Sequence, residues 1–317
     1  MAGGLPSPLQ VRLETALIVG SGVALSRLGA ALPMLSPDRF NITVRRDISY
    51  GPLPAHRFDL YTPPGPGPHP TVLYIHGGGF RVYSKDTHWI MGLQFARLGF
   101  QCAVPDYRLA PAHPFPAGLH DVCLAWQQLT DTPDEYGIAP DSIFVGGESA
   151  GANLSTALAL IACWPDGAFG DWPHGLRVPD RVMAACGILQ VSDTARMWRI
   201  PGGPRGFVRS RLKTLPIMYL GDKRTTPPLL ADPLLVLEGT DAPARPLPPF
   251  FIPVGDRDVL LEDSRRMARA LTRRGVPVTL TEYPGEPHGF MLYIWRRAAR
   301  QCWADINDFF SGSARRT

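Results

Sequence analysis

The sequence predicts an α/β chain with a mostly parallel eight-stranded sheet and helices on both of its faces. Two observations predict it and a third qualifies it. Eight short apolar or alternating segments recur from residue 42 onward, helical patterns fill most of the gaps between them, and one insertion late in the chain breaks the alternation. Strands separated by helices pair in parallel through right-handed crossovers, which places helices on both faces.

Taken in order, strands are expected near 42–49, 56–61, 71–75, 101–106, 142–146, 181–189, 250–254 and 277–283. Helices are expected near 87–98, 115–129, 150–163, 259–274 and 291–310. The run Thr71-Val72-Leu73-Tyr74-Ile75 is apolar enough for a buried strand, and Pro63 to Pro70 before it reads as a stiff turn. The helix over 150–163 is apolar almost all round, so it should be deeply buried. Phe250 to Gly255 reads as a second buried strand, followed by a helix with Leu260, Met267 and Leu271 on one face and Gly275 beyond its end. Pro277 to Tyr283 alternates as a strand. The last helix aligns Trp295, Ala299, Cys302, Ile306 and Phe309 in one stripe, suited to the core or to a homodimer seam.

Composition narrows the function classes. A chain of 317 residues, 45% apolar and 19% charged, can bury one large core. Its net charge of +4 comes with no aromatic-interleaved basic stripe, so no nucleic-acid partner is expected. Five cysteines are widely spaced with no Cys-x-x-Cys pair, which fits free thiols in a reducing, cytoplasmic compartment. Ala16 to Leu35 is largely apolar, but Arg27 interrupts it and the start Met1-Ala2-Gly3-Gly4 lacks basic residues. It therefore reads as neither a signal peptide nor a membrane span, with peripheral membrane contact left as the alternative.

The chemistry is carried by short motifs. Gly147-Glu148-Ser149-Ala150-Gly151 lies between a strand and a helix, where Gly-x-Ser-x-Gly forms a sharp turn that holds a serine hydroxyl out toward a substrate carbonyl. Small residues are needed there because a Cβ at Gly147 or Gly151 would crowd a strained backbone. Alone, the pentapeptide is weak among 32 glycines. His76-Gly77-Gly78-Gly79 strengthens it: glycines after a buried strand can aim N–H groups at a developing oxyanion. Gly78 and Gly79 are the candidate donors, with Ala150 as the third and His76 as organiser of the loop. The acid and base must follow the serine. Asp256-Arg257-Asp258 and Glu286-Pro287-His288-Gly289 each stand just past a strand's C-terminal end, the edge where open α/β sheets place their chemistry. Spacing does not separate Asp256 from Asp258, and either could cap the following helix. Of the eight histidines, His288 alone combines a strand end with the required order.

These residues resemble the bacterial hormone-sensitive-lipase-like esterases of the α/β-hydrolase superfamily. The resemblance extends to Asp106-Tyr107-Arg108-Leu109-Ala110-Pro111 with Phe115-Pro116-Ala117, and it covers about residues 45–190 and 230–310. Asp258-Val259-Leu260 is similar to the family's Asp-x-Leu around the triad acid, so the resemblance favours Asp258. Glu148 in place of the commoner aspartate, Ala112 in place of glutamate, and the order Glu262-Asp263 depart from the family pattern without touching a triad position.

The resemblance implies an N-terminal cap segment over residues 1–40, a core in two parts over 41–190 and 232–317, and a cap insertion over 191–231. Apolar residues of that insertion, among them Met197, Trp198, Phe207, Leu215 and Tyr219, would wall an acyl pocket, and its basic residues read as a solvated outer face. The implied activity is a serine carboxylesterase acting on short- to medium-chain acyl esters, with Ser149 as nucleophile, His288 as base and Asp258 orienting it. The scheme calls for no metal and no organic cofactor. An amidase or arylformamidase would use the same triad. A non-catalytic small-molecule receptor on this fold is the reading of a different class, and the presence of His288 weighs against it.

Overall fold

The computed structural model describes residues 28–164, 166–198, 206–225 and 228–312, with Gly20, Ala24 and Ser26 before them. Most of the expected N-terminal cap segment lies outside the described residues. Its visible end touches the core, where Ser26 Oγ donates to the Asp86 carbonyl at 2.8 Å and Trp89 Nε1 donates to the Ser26 carbonyl at 3.2 Å.

Eight strands form one sheet: β1 (Thr43–Ser49), β2 (Arg57–Thr62), β3 (His69–Ile75), β4 (Gln101–Pro105), β5 (Ile138–Glu148), β6 (Val182–Ala185), β7 (Phe250–Gly255) and β8 (Val278–Tyr283). Their order is β1-β2-β4-β3-β5-β6-β7-β8. The β1–β2 and β2–β4 pairs are antiparallel, and every pair from β4 across to β8 is parallel. The expected mostly parallel eight-stranded sheet is thus the observed one.

Five long helices cover the two faces of this sheet. On one side lie α1 (Trp89–Arg97) and α8 (Arg297–Ser311), whose Met91, Phe95, Cys302 and Ile306 join one core cluster. The other side carries α2 (Ala117–Asp131), α4 (Ala150–Cys163) and α7 (Leu261–Arg273), whose Leu119, Leu158 and Met267 join a second. Two short helices, α3 (Pro133–Tyr136) and α6 (Pro233–Glu238), and the longer α5 (Gly206–Leu220) complete the set among the described residues. Strand β3 shows why both faces are apolar: Val72 and Tyr74 point to the first cluster, Leu73 and Ile75 to the second. In α4 only Ile161 escapes full burial, as its all-round apolar pattern predicts.

Three boundaries differ from expectation. Strand β5 begins at Ile138, because backbone pairing of His69 with Ile138 extends it through the exposed Pro140 and Asp141, which carry no apolar signal. Strand β6 ends at Ala185, where Cys186 takes a positive φ of 40° and turns the chain away. Ile188, Leu189 and Val191 beyond it are buried as loop residues, so their hydrophobicity reports burial and not a strand. The last helix starts at Arg297, since Phe290 to Leu292 form a separate 3-10 turn that packs Phe290 and Met291 into the core. The stripe Ala299, Cys302 and Ile306 is core, whereas Trp295 precedes the helix and is exposed.

Candidate active site

Strand β5 delivers Ser149 into the turn before α4. Ser149 has φ 57° and ψ −112°, a strained conformation for a residue with a side chain, and its N–H donates to the Ala185 carbonyl at 2.9 Å. The strain sits on the serine itself. The flanking glycines serve close approach instead: a Cβ on Gly151 would stand 1.9 Å from the Ile75 carbonyl oxygen, and one on Gly147 would stand 2.5 Å from the Gly151 carbonyl carbon.

The loops after β7 and β8 bring the other two groups to that hydroxyl. His288 Nε2 lies 3.1 Å from Ser149 Oγ, and His288 Nδ1 lies 2.9 and 3.0 Å from the two oxygens of Asp258. Asp258 is buried and also accepts the Leu260 N–H at 2.8 Å. Asp256 is exposed, turned away, and accepts the Gly285 N–H at 2.7 Å. Of the two carboxylates Asp258 is thus the one in contact with His288, and Asp256 caps a turn instead of the helix. The outer side of the His288 ring is two-fifths exposed, at 40%. Burial of its inner edge disfavours the imidazolium, but the Asp258 carboxylate, with Cys186 beside it, outweighs that and holds His288 well above the usual histidine range.

Cys186 is a neighbour that sequence reading missed. Its sulfur lies within 4.8 Å of a ring nitrogen of His288, and burial pushes the thiol up from its ordinary value against the opposing pull of the imidazole. The available signal was its place, just past the end of a strand adjacent to β5 and β7.

The glycine loop after β3 packs against the turn. Gly78 and Gly79 have φ of 111° and 63°, values that favour glycine, and a Cβ on Gly78 would meet the Val82 carbonyl at 2.2 Å. Among the described residues, nothing accepts the N–H of Gly78, Gly79 or Ala150. Gly77 N–H, in contrast, donates to Glu148 Oε1 at 2.6 Å. The same buried carboxylate accepts the Tyr74 hydroxyl and pairs with His88 Nε2 at 3.0 Å. Burial opposes its charge, yet His88, Tyr74 and Gly77 together hold Glu148 below the usual carboxylate range. His76 Nδ1 lies 2.7 Å from the Gly77 carbonyl, and its ring stacks on Tyr107 at 4.4 Å and His88 at 5.2 Å. Burial, with His88 adding to it, drives His76 down to about 3, so it stays neutral, as suits an organiser of the loop. Tyr107 also donates to the His76 carbonyl at 2.9 Å, and Arg108 forks onto Asp121, which in turn holds His56. The Asp106-Tyr107-Arg108 stretch thus braces the glycine loop from below.

Above these groups opens a cavity of about 490 Å³, lined by Ser149, His288, Gly78 and Gly79 from the core and by Val208, Arg211, Leu212 and Leu215 of α5. Arg211 departs from the expected solvated face by standing on the cavity wall, while Arg209 is exposed. Arg199 and Arg205 lie outside the described residues. Cys186, Asp258 and His288 form the one His, Cys and carboxylate group among the described residues with metal-binding spacing. No helix among them is long and apolar enough to cross a membrane.

A sheet covered on both faces that carries its reactive side chains at one strand edge is the architecture of an α/β hydrolase, and a sequence profile described as the alpha/beta hydrolase fold matches residues 72–292. The chain belongs to the hormone-sensitive-lipase-like family of that fold. Carboxylesterase NlhH of Mycobacterium tuberculosis is 31% identical over 241 residues, covering 71% of this chain and 67% of the relative. An esterase of Acinetobacter venetianus is 28% identical over 248 residues, 75% of this chain and 73% of the relative. Among solved structures, esterase LipW of Mycobacterium marinum superposes with a TM-score of 0.79 at 25% identity, covering 94% of this chain and 89% of the other. A bacterial heroin esterase superposes with a TM-score of 0.77 at 25% identity, covering 98% and 95%.

Proposed function

We propose that this protein is a serine carboxylesterase that hydrolyses short- to medium-chain acyl esters through an acyl-serine intermediate. The observation that carries the reading is the continuous line from Asp258 through His288 to Ser149, each link between 2.9 and 3.1 Å, beside backbone N–H groups with no acceptor among the described residues. In this scheme Ser149 Oγ attacks the ester carbonyl as His288 Nε2 takes its proton. Asp258 keeps the remaining ring proton on Nδ1 and stabilises the imidazolium. The N–H groups of Gly78, Gly79 and Ala150 bind the tetrahedral oxyanion, a contribution worth about 2.7–4 kcal/mol per donor in another serine hydrolase. His288 then protonates the leaving alcohol. Water, deprotonated by the same ring, cleaves the acyl-serine and releases the acid.

The carboxylesterase and esterase names of the relatives support ester hydrolysis. The cavity of about 490 Å³, within the usual range for small-molecule sites, supports an acyl group of modest length. We read α5 and the loops around it, within 191–231, as the cap that walls this cavity, and residues 1–40 as its second piece. A small-molecule ester is the partner this reading calls for.

The test is a series of p-nitrophenyl esters from acetate to dodecanoate, run with an aryl acetamide and an aryl formamide. Turnover should peak at short to medium chains, exceed that of both amides and vanish in Ser149→Ala with the circular dichroism spectrum preserved. Undiminished turnover in Ser149→Ala would remove the serine from the scheme, and faster amide cleavage would make the enzyme an amidase.

A further inference from the structure

We infer that Cys186, Asp258 and His288 form an inhibitory site for a thiophilic divalent cation of the zinc and cadmium class. One sulfur, one carboxylate oxygen and one ring nitrogen, drawn from the ends of three adjacent strands, all lie within 4.8 Å of one another. A tetrahedral zinc ion with bonds of about 2.0–2.3 Å spaces its donors roughly 3.3–3.7 Å apart. The contact between His288 and Asp258, at 2.9 Å, must open by less than about 1 Å to reach that spacing, and the sulfur must close by about 1 Å at most.

The backbone holds the donors near these places. Cys186 N–H donates to the Pro253 carbonyl at 3.0 Å, and Asp258 N–H donates to the Gly255 carbonyl at 3.1 Å. His288 remains partly open to the cleft, which leaves a route of entry and a fourth position for water.

The donor chemistry selects the ion. Thiolate and imidazole favour zinc and cadmium over magnesium and calcium, which take oxygen ligands. On binding, the Cys186 S–H bond breaks, its proton leaves to solvent and the sulfur pair forms the metal bond; where the His288 ring is charged, its second proton leaves to solvent as well and frees the nitrogen lone pair. Thiolate and carboxylate then offset the two positive charges, so the buried cluster carries no net charge. A metal on Nδ1 leaves the ring proton on Nε2, where it faces Ser149 as a donor and can accept nothing. A metal on Nε2 occupies the lone pair directly. In both cases the base is lost. Metal binding follows from the cluster alone; only its effect on turnover rests on the esterase reading above.

The experiment uses the full chain freed of metal, titrated calorimetrically with zinc, cadmium or magnesium chloride, together with Cys186→Ala and Cys186→Ser. One zinc ion should bind per chain, with at least about tenfold weaker binding in both variants. Cadmium should raise a thiolate charge-transfer band in the ultraviolet that both variants lack, and magnesium should not bind. Zinc should suppress p-nitrophenyl ester turnover at least about tenfold, reversibly by chelator, whereas each variant, measured against its own metal-free rate, should lose less than about twofold. Absence of zinc binding, a cadmium complex without the thiolate band, or a variant that binds as tightly as the parent would each overturn the site. Should Cys186→Ala not fold, the cadmium band of the parent and the Cys186→Ser titration decide the matter. If the parent hydrolyses no ester at all, the calorimetric and spectroscopic arms still decide the metal site, and the esterase reading falls alone.

Discussion

His288 joins two opposing demands in one ring. To act as a base it must be neutral, while the buried Asp258 carboxylate at Nδ1 favours its charged form and raises its pKa well above the ordinary value of about 6.5. The sign of the pH dependence follows. As pH falls through the raised pKa, the ring gains a proton and kcat/KM drops, so the acidic limb should lie above about 6.5. Asp258→Asn removes the charge that stabilises the imidazolium. Its limb should move to lower pH, and kcat should fall on the order of 10⁴, as for the triad acid of other Ser-His-Asp enzymes. Asp256→Asn alters only an exposed turn at Gly285 and should change kcat by no more than about twofold. Rate profiles of the two variants measured side by side provide the check, and a larger loss in Asp256→Asn would transfer the role to that residue.

The strand–turn–helix unit around Ser149 and the glycine loop after β3 form one braced piece, and Glu148 is the pin between them. Its carboxylate is buried with Gly77 N–H and His88 as partners, so deleting it leaves a loop amide and a histidine without their acceptor. Leaving a buried polar group without its partner costs about 1–3 kcal/mol, and Glu148→Ala should therefore lose at least that much stability and melt at a lower temperature. It should also lose kcat, because Gly78 and Gly79 are positioned through Gly77. Glu148→Gln, which keeps an acceptor for Gly77, should recover part of both in thermal melts and single-ester kinetics. A Glu148→Ala protein as stable and active as the parent would show that the loop holds itself. This piece also shows how far the sequence could be read. The glycines of both motifs were legible because a Cβ at Gly77, Gly78, Gly147 or Gly151 collides with backbone and Gly79 needs its positive φ, demands local to a few residues. Glu148 appeared only as a departure from the commoner aspartate, since its partners Tyr74 and His88 come from β3 and the start of α1. Cys186 was hidden for the same reason: an apolar run continued past it, and only the turn at its positive φ separates strand from loop.

At the scale of the molecule, the sheet sets Ser149, Asp258 and His288 along one edge, and residues of the insertion line the cavity above them. Both stems of the insertion are tied to the core by buried carboxylates. Asp232 accepts the N–H groups of Val191 and Ser192, and Asp263 accepts that of Leu189 while pairing with Arg196 at 2.6 Å. The order Glu262-Asp263 thus has a structural use, since the second residue faces inward to hold Leu189 and Arg196. From these stems α5 extends over the cavity. Its apolar residues divide by face: Tyr219 stacks on Phe80 at 3.7 Å and holds the helix down, while Leu215 looks into the cavity beside Gly79. Sequence spacing alone could not separate those two roles, because side-chain direction depends on how the helix docks. Leu215 is therefore the residue whose size should set acyl length. Replacing it with Trp adds an indole to the wall of a cavity of about 490 Å³, next to the serine. The ratio of kcat/KM for octanoate to that for acetate should fall by at least about tenfold, since each methylene fitted or refused in an apolar pocket is worth roughly 10–200-fold. Acetate turnover should stay near that of the parent, because the wall beyond the first carbons of the acyl group is what changes. A loss shared equally by both esters would mean that the indole disturbs the glycine loop at Gly79. An unchanged ratio would place the acyl chain on the opposite wall, along Leu292 and Tyr293.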